Sequence, residues 1–158
     1  MLTDADLGFL RRAIAVAQAS RSHGNHPFGA ILVDSTGQVL LEAENTVNSD
    51  QDVTGHAETN LVRLASRQLD RATLAGSTLY TSTEPCAMCS GAIHWSGIGR
   101  VVFALSEVGL YTLTGAHPEN ETMHLPCREV FARCDRTIAV DGPAIEEEAA
   151  QVHAGFWG

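Results

Sequence analysis

Residues 78–91 read TLYTSTEPCAMCSG: an apolar strand-like run, Leu79 to Ser82, meets Pro85 and then a Cys-x-x-Cys pair, Cys86 and Cys89, at the start of a helical segment. Proline suits the first helical position, where the amide hydrogen it lacks would be unpaired anyway. Residues three apart on a helix share a face, so both sulfurs reach one ion, and the positive helix N-terminus favours their thiolate forms. Two thiolates suit zinc. Alone the pair is ambiguous, since half a structural zinc site, a redox pair and two buried small side chains share this spacing.

Upstream, Gly55-His56-Ala57-Glu58-Thr59 opens a second helical segment and offers His56 as a third ligand. Three protein ligands leave the fourth tetrahedral position for water, the arrangement of catalytic rather than structural zinc. A fourth protein ligand would instead point to a non-catalytic zinc module, which has no need of Glu58. Taken alone, His56 and Glu58 read as an ordinary surface helix start, because Glu suits the helix dipole. Their occurrence with Pro85, Cys86 and Cys89 reverses that reading. His-x-Glu followed by Pro-Cys-x-x-Cys is the signature of zinc nucleobase deaminases, in which the Glu is general acid and base and not a ligand.

On GHAETN, LYTSTEPCAMC and SGAIHW the chain resembles the cytidine deaminase-like superfamily, most of all its guanine deaminase and nucleobase deaminase branch, close to the bacterial tRNA adenosine deaminases. The similarity runs from about Phe9 to Leu105. It implies one Zn2+ per chain on His56, Cys86 and Cys89, with zinc lowering the pKa of a bound water from about 16 to about 7. Glu58 would carry the protons. It also implies a homodimer and a three-layer fold. In the resembling enzymes the Ala57 amide and a backbone carbonyl near Glu84 meet the substrate, and an Asn stands near the position of Asn45. Phe28 and Trp95 are candidates to stack on a flat base, with core packing the competing reading. Glu107, Glu119, Glu121 and Glu129 are candidates to accept a base's N–H, against solvated loop charges. Cys127 and Cys134 read as free thiols. Thr83 and Ala87 stand where the guanine-type pattern has Cys and Pro, and the segment after Leu105 departs from the family pattern, so the identity of the base stays open.

The chain has 158 residues, 44% hydrophobic content and a formal charge of −9. That is enough for one well-buried domain. The acidic balance argues against a nucleic-acid surface, so the expected reaction is hydrolytic deamination of a free aminated heterocycle, with guanine, a cytosine-like base and an amino-triazine all open, and editing of a tRNA wobble adenosine is the alternative. The acidic start MLTDADLGFL is unlike a secretory signal, no stretch has membrane-span length, and a cytoplasmic protein is expected.

Thr3 and Asp6 read as a capping box before a helix to about Ser20. Ala30–Val33 and Val39 to about Thr46 form an antiparallel hairpin, followed by a polar loop from Asn48 to Thr54. A helix beginning at His56 buries Leu61, Val62, Leu64 and Ala65. Leu79–Ser82 is a strand, the cysteine helix runs to about Trp95, and the unbroken apolar run Arg100–Leu105 is a strand covered on both faces. Ser106–Pro126 reads as a long loop with at most a short helix. Cys127–Arg133 is a helix, Thr137–Val140 a strand and Ile145 to about Ala154 an acidic helix. Strands separated by helices imply an α/β, three-layer α/β/α sandwich with a mixed five-stranded sheet. Ser106–Pro126 with Phe156 and Trp157 is expected to form a lid that selects the base, and these two C-terminal aromatics are also expected to be buried by dimerisation.

Overall fold

The structure is a computed structural model that describes residues 1–121 and 123–158. Helix α1 (Asp4–Ser22) starts as its sequence dictates: Asp6 N donates to Thr3 Oγ1 at 3.1 Å and Thr3 N donates to Asp6 Oδ2 at 2.8 Å. Strands β1 (Gly29–Val33) and β2 (Val39–Glu44) form the expected hairpin, with Gly29 opposite Glu44. Then come α2 (Val47–Asp50), α3 (Ala57–Gln68), α4 (Arg71–Ala75), β3 (Thr78–Thr83), α5 (Ala87–Ser96) and β4 (Arg100–Leu105). The chain continues through α6 (Glu107–Thr114), a 3-10 turn at Pro118–Asn120, α7 (Cys127–Phe131), β5 (Ala139–Asp141) and α8 (Glu146–Gln151).

The strands lie in the order β2-β1-β3-β4-β5. Pairing is antiparallel from β2 through β3 and parallel from β3 through β5, so the sheet is mixed as expected. Alternation along β1 feeds two cores. Ala30 and Leu32 pack with Leu61 of α3 and Ile93 of α5, while Ile31 and Val33 pack with Leu10 of α1, Leu110 of α6 and Ala149 of α8. β4 contributes to both, with Val101 and Phe103 on one side and Val102 and Ala104 on the other, which explains its unbroken apolar run. A Cβ on Gly29 would lie 2.4 Å from Ala17 N, so its bare backbone is what lets α1 lie so close on the sheet. Asp6 anchors the far end: Tyr80 Oη donates to its Oδ1 at 2.6 Å and Arg100 Nη1 at 2.9 Å. Burial alone would raise the Asp6 carboxyl; the bonds from Arg100, Tyr80 and Thr3 outweigh it and hold it well below the usual range.

Several expectations are corrected. Pro85 is not the first helical residue, because Cys86 is the N-cap of α5 with extended φ and ψ of −67° and 173°. Residues 47–50 are a short helix rather than loop. Leu64 faces solvent, so the buried stripe of α3 is Leu61 and Ala65 with Glu58. Ser106–Pro126 does hold the one short helix allowed for it: α6 fills its first third, capped by Ser106, whose side chain accepts from Gly109 N. Thr122 of that segment lies outside the described residues. Trp157 is buried within its own chain, its Nε1 donating to His153 Nδ1 at 3.0 Å, so it offers dimerisation no exposed surface. No helix among the described residues is long and apolar enough to cross a membrane.

Candidate active site

His56 and Cys86 are the N-caps of α3 and α5, two helices packed side by side. Both positive helix ends therefore meet at one place. His56 Nδ1 lies 3.5 Å from Cys86 Sγ and 3.6 Å from Cys89 Sγ, and the three ligand atoms all fall within 4.8 Å of one another. Zn–S near 2.3 Å and Zn–N near 2.05 Å at a tetrahedral angle require an N···S separation of about 3.6 Å. The donor set therefore fits zinc in identity and spacing. Among the described residues this is the one cluster of three such groups.

The protons of the triad are tightly linked. The Cys89 thiol donates toward Cys86 and, with His56, holds Cys86 well below the usual thiol range. Cys89 is pushed up by that same bond and by burial, while the Cys86 contact raises His56. Thr59 Oγ1 sits 3.2 Å from Cys89 Sγ.

Glu58, in the first turn of α3, is 5% exposed. Burial raises its pKa, opposed by a bond from Thr81. Thr81 Oγ1 lies 2.6 Å from Glu58 Oε1 and 2.9 Å from the Thr83 carbonyl, and its single proton can serve only one of them at a time.

The triad and Glu58 open into a cavity of about 360 Å³ to which His56, Glu58 and Cys86 contribute. That is near the lower end of the range of about 300–1,000 Å³ for small-molecule sites. Phe28, Val47, Val53, Met88 and Leu110 supply apolar wall. Asn45 lines it too, 1% exposed, with its Oδ1 taken by Val47 N at 3.0 Å. Glu84 lines it as well, yet its carboxylate is structural: Oε1 accepts from Glu107 N at 3.0 Å and Oε2 from Cys127 N at 2.9 Å.

Other candidates fall elsewhere. Ala57 is fully buried and does not line the cavity with its side chain; its amide is among the first-turn amides that have no partner within the helix. Trp95 is 79% exposed at the far end of α5, outside the cavity, with its ring packed on His94. Of the two readings of Trp95, stacking on a base and filling core, the second is corrected by its exposure, and the first finds no support in the lining of this cavity. Glu107, Glu119 and Glu121 line the cavity, whereas Glu129 is exposed outside it. Phe156 and Trp157 pack against His26 and Phe28, two residues of the lining, and are not themselves part of it. Three contributors had no sequence signal: Thr81, Tyr111, and His26, whose Nε2 lies 3.0 Å from Glu119 Oε2. Only the strand register and the return of residues 106–121 bring them in.

Residues 3–105 match the family model of the cytidine and deoxycytidylate deaminase zinc-binding region. The chain is 48% identical over 156 residues to a probable cytosine deaminase of Schizosaccharomyces pombe, covering 99% of this chain and 94% of that one. It is 40% identical over 97 residues to the guanine deaminase of Bacillus subtilis, covering 61% and 62%. The fold matches a solved structure of guanine deaminase from Nitrosomonas europaea at TM-score 0.78, with 22% identity over 97% of this chain and 84% of that one. With the zinc-fitting triad and the buried carboxylate beside it, these matches lead to one conclusion: the chain belongs to the zinc-dependent cytidine and deoxycytidylate deaminase family.

Proposed function

We propose that the chain hydrolytically deaminates a free aminated nucleobase, with cytosine the first candidate, releasing ammonia. The observation that carries this reading is the meeting of the metal triad and the buried Glu58 in one small, mostly apolar cavity. Cytosine is favoured over guanine by the 48% identity along nearly the whole length of a relative named as a probable cytosine deaminase. A tRNA substrate is disfavoured by the charge of −9 and by the carboxylates of Glu119 and Glu121 in the cavity lining.

His56, Cys86 and Cys89 would hold zinc, which when bound supplies a Lewis acid able to lower the pKa of water to about 7. Glu58 takes a proton from the attacking water and gives it to the ring nitrogen beside the amine-bearing carbon. Glu58 then takes the proton of the hydroxyl now carried by that carbon and hands it to the departing amine; the C–N bond breaks, the carbonyl forms, and base and water become carbonyl product and ammonia. Thr81 supports both protonation states: it donates to the ionised Glu58, and accepts from the protonated one while donating to the Thr83 carbonyl. Phe28 and Leu110 give the flat ring apolar surface and exclude water.

The test is ammonia release by the zinc-loaded protein from cytosine, guanine, adenine, their nucleosides and a tRNA anticodon stem-loop. Turnover of a free base, cytosine fastest, is expected. Turnover of the stem-loop alone, or of nothing, overturns the proposal.

A further inference from the structure

We infer that Glu107 is a specificity-determining residue of this cavity, whose carboxylate accepts the ring N–H of a free base at the nitrogen that would carry the sugar in a nucleoside. The inference rests on the deamination reading above and assigns the group that sets its substrate class.

Glu107 is 6% exposed and lines the cavity, and among the described residues its carboxylate has no hydrogen-bond or ion-pair partner. Its unpartnered oxygens stay accessible from the cavity, so they are open to a donor that enters there. The neighbouring carboxylates have other work. Glu58 is bonded by Thr81, both oxygens of Glu84 hold backbone amides, and Glu119 is paired with His26. Glu121 is exposed. Glu107 alone is enclosed, unpartnered and part of the cavity wall.

Its position is set by the backbone. Thr83 pairs with Leu105 across the parallel strands β3 and β4, Glu84 N donates to the Leu105 carbonyl, and Glu107 N returns the bond to Glu84 Oε1. Glu107 thus stands at the carboxyl ends of the parallel strands, where α/β sheets hold ligands, on the wall next to the segment leading to Cys86. Burial first, then the Glu84 and Glu129 carboxylates, raises its pKa, so an N–H donor from a ligand has much to relieve.

An ionised carboxylate only accepts hydrogen bonds. With the amine-bearing carbon and adjacent ring nitrogen turned toward Glu58 and the metal triad, the ring donor left on cytosine or adenine is the N–H at the glycosidic nitrogen, and guanine offers that N–H in addition to its N1–H. A nucleoside has no proton there, and would leave Glu107 buried and unpaired. Sites built around such a bond reject analogues lacking it by up to about 10⁴–10⁵-fold.

Zinc-loaded wild type, Glu107→Gln and Glu107→Asp are compared on cytosine, 1-methylcytosine, guanine and 9-methylguanine. Ammonia release is followed for each, and binding of the same four is measured calorimetrically on a Glu58→Gln background that does not turn over. Wild type is expected to favour each base it deaminates over its methylated counterpart by about 10²-fold or more in kcat/KM. Glu107→Gln should erase most of that preference by slowing the base while leaving the methylated compound nearly unchanged, and Glu107→Asp should restore part of it. A merely structural role would lower both compounds equally, and that result, or a preference unaffected by either substitution, overturns the inference. Absence of ammonia from every base would overturn the deamination reading instead. Binding then decides: Glu107-dependent preference for the unmethylated base upholds the inference, and its absence overturns it.

Discussion

Thr81 Oγ1 and Glu58 Oε1 lie 2.6 Å apart inside the protein, with the Thr83 carbonyl 2.9 Å from the same hydroxyl. The hydroxyl therefore has an alternative acceptor ready whenever Glu58 holds a proton. Thr81→Val keeps the shape and removes the relay. A hydrogen bond to a charged group contributes about 1.5–3 kcal/mol, so kcat should fall roughly 10- to 10²-fold. Zinc content should stay at wild-type level. Unchanged kcat in a variant that still holds zinc would show the bond to be incidental.

Glu58→Gln removes the proton carrier and keeps the volume. Turnover should drop toward the upper end of the roughly 10²- to 10⁴-fold range for general acid–base groups, while zinc stoichiometry and melting temperature are retained. The pairing of kinetics with metal analysis is what checks it, because turnover near wild type would assign the chemistry to another base.

His56→Ala and Cys86→Ser should each lose zinc, since each removes one of only three donors that meet at this spacing. Metal analysis after exhaustive dialysis reads the outcome. Full occupancy in both variants would reject the ligand assignment.

His153 gives a pH dependence of stability. Burial first, then the Arg21 charge, lowers its pKa to about 4. Its Nδ1 accepts from Trp157 Nε1, so a proton placed there would face another N–H. The folded value lies below the unfolded value of about 6.5, so the unfolded chain binds more protons in between. The stabilisation is therefore complete above about pH 6.5 and is lost as pH falls toward 4, a change of roughly 3 kcal/mol at most. Urea midpoints measured across that window should fall in wild type and fall less in His153→Phe.

The metal ligands were legible because their signal is local: two short motifs, each at a helix start, need only the helix to bring their atoms together. Thr81 and Glu107 carry no such signal. Thr81 is one more strand residue until the register sets it beside Glu58, and Glu107 looks like a loop charge until α6 exists. That helix, EVGLYTLT, mixes Gly, Thr and Tyr of modest helix propensity, and forms through the Ser106 cap and the burial of Leu110. Trp95 misled for a geometric reason. At about 1.5 Å of rise per residue it stands roughly 13 Å along α5 from Cys86, at the opposite end from the metal. Phe156 and Trp157 were expected to be covered by a second chain, whereas Trp157 is buried and Phe156 half-buried against His26, Phe28 and His153 of the same chain.

Glu84 holds the first amide of α6 with one oxygen and the first amide of α7 with the other, from a point two residues before Cys86. The wall that would grip a base and the loop that would grip zinc thus share one fastening, and occupancy at either should be felt at the other. Coupling of that kind is reciprocal. Zinc should slow hydrogen exchange at the Glu107 and Cys127 amides, and a bound base should in return slow the escape of zinc to a chelator. Glu84→Gln, which weakens both fastenings while leaving every ligand in place, should loosen that mutual protection before it costs the protein its fold.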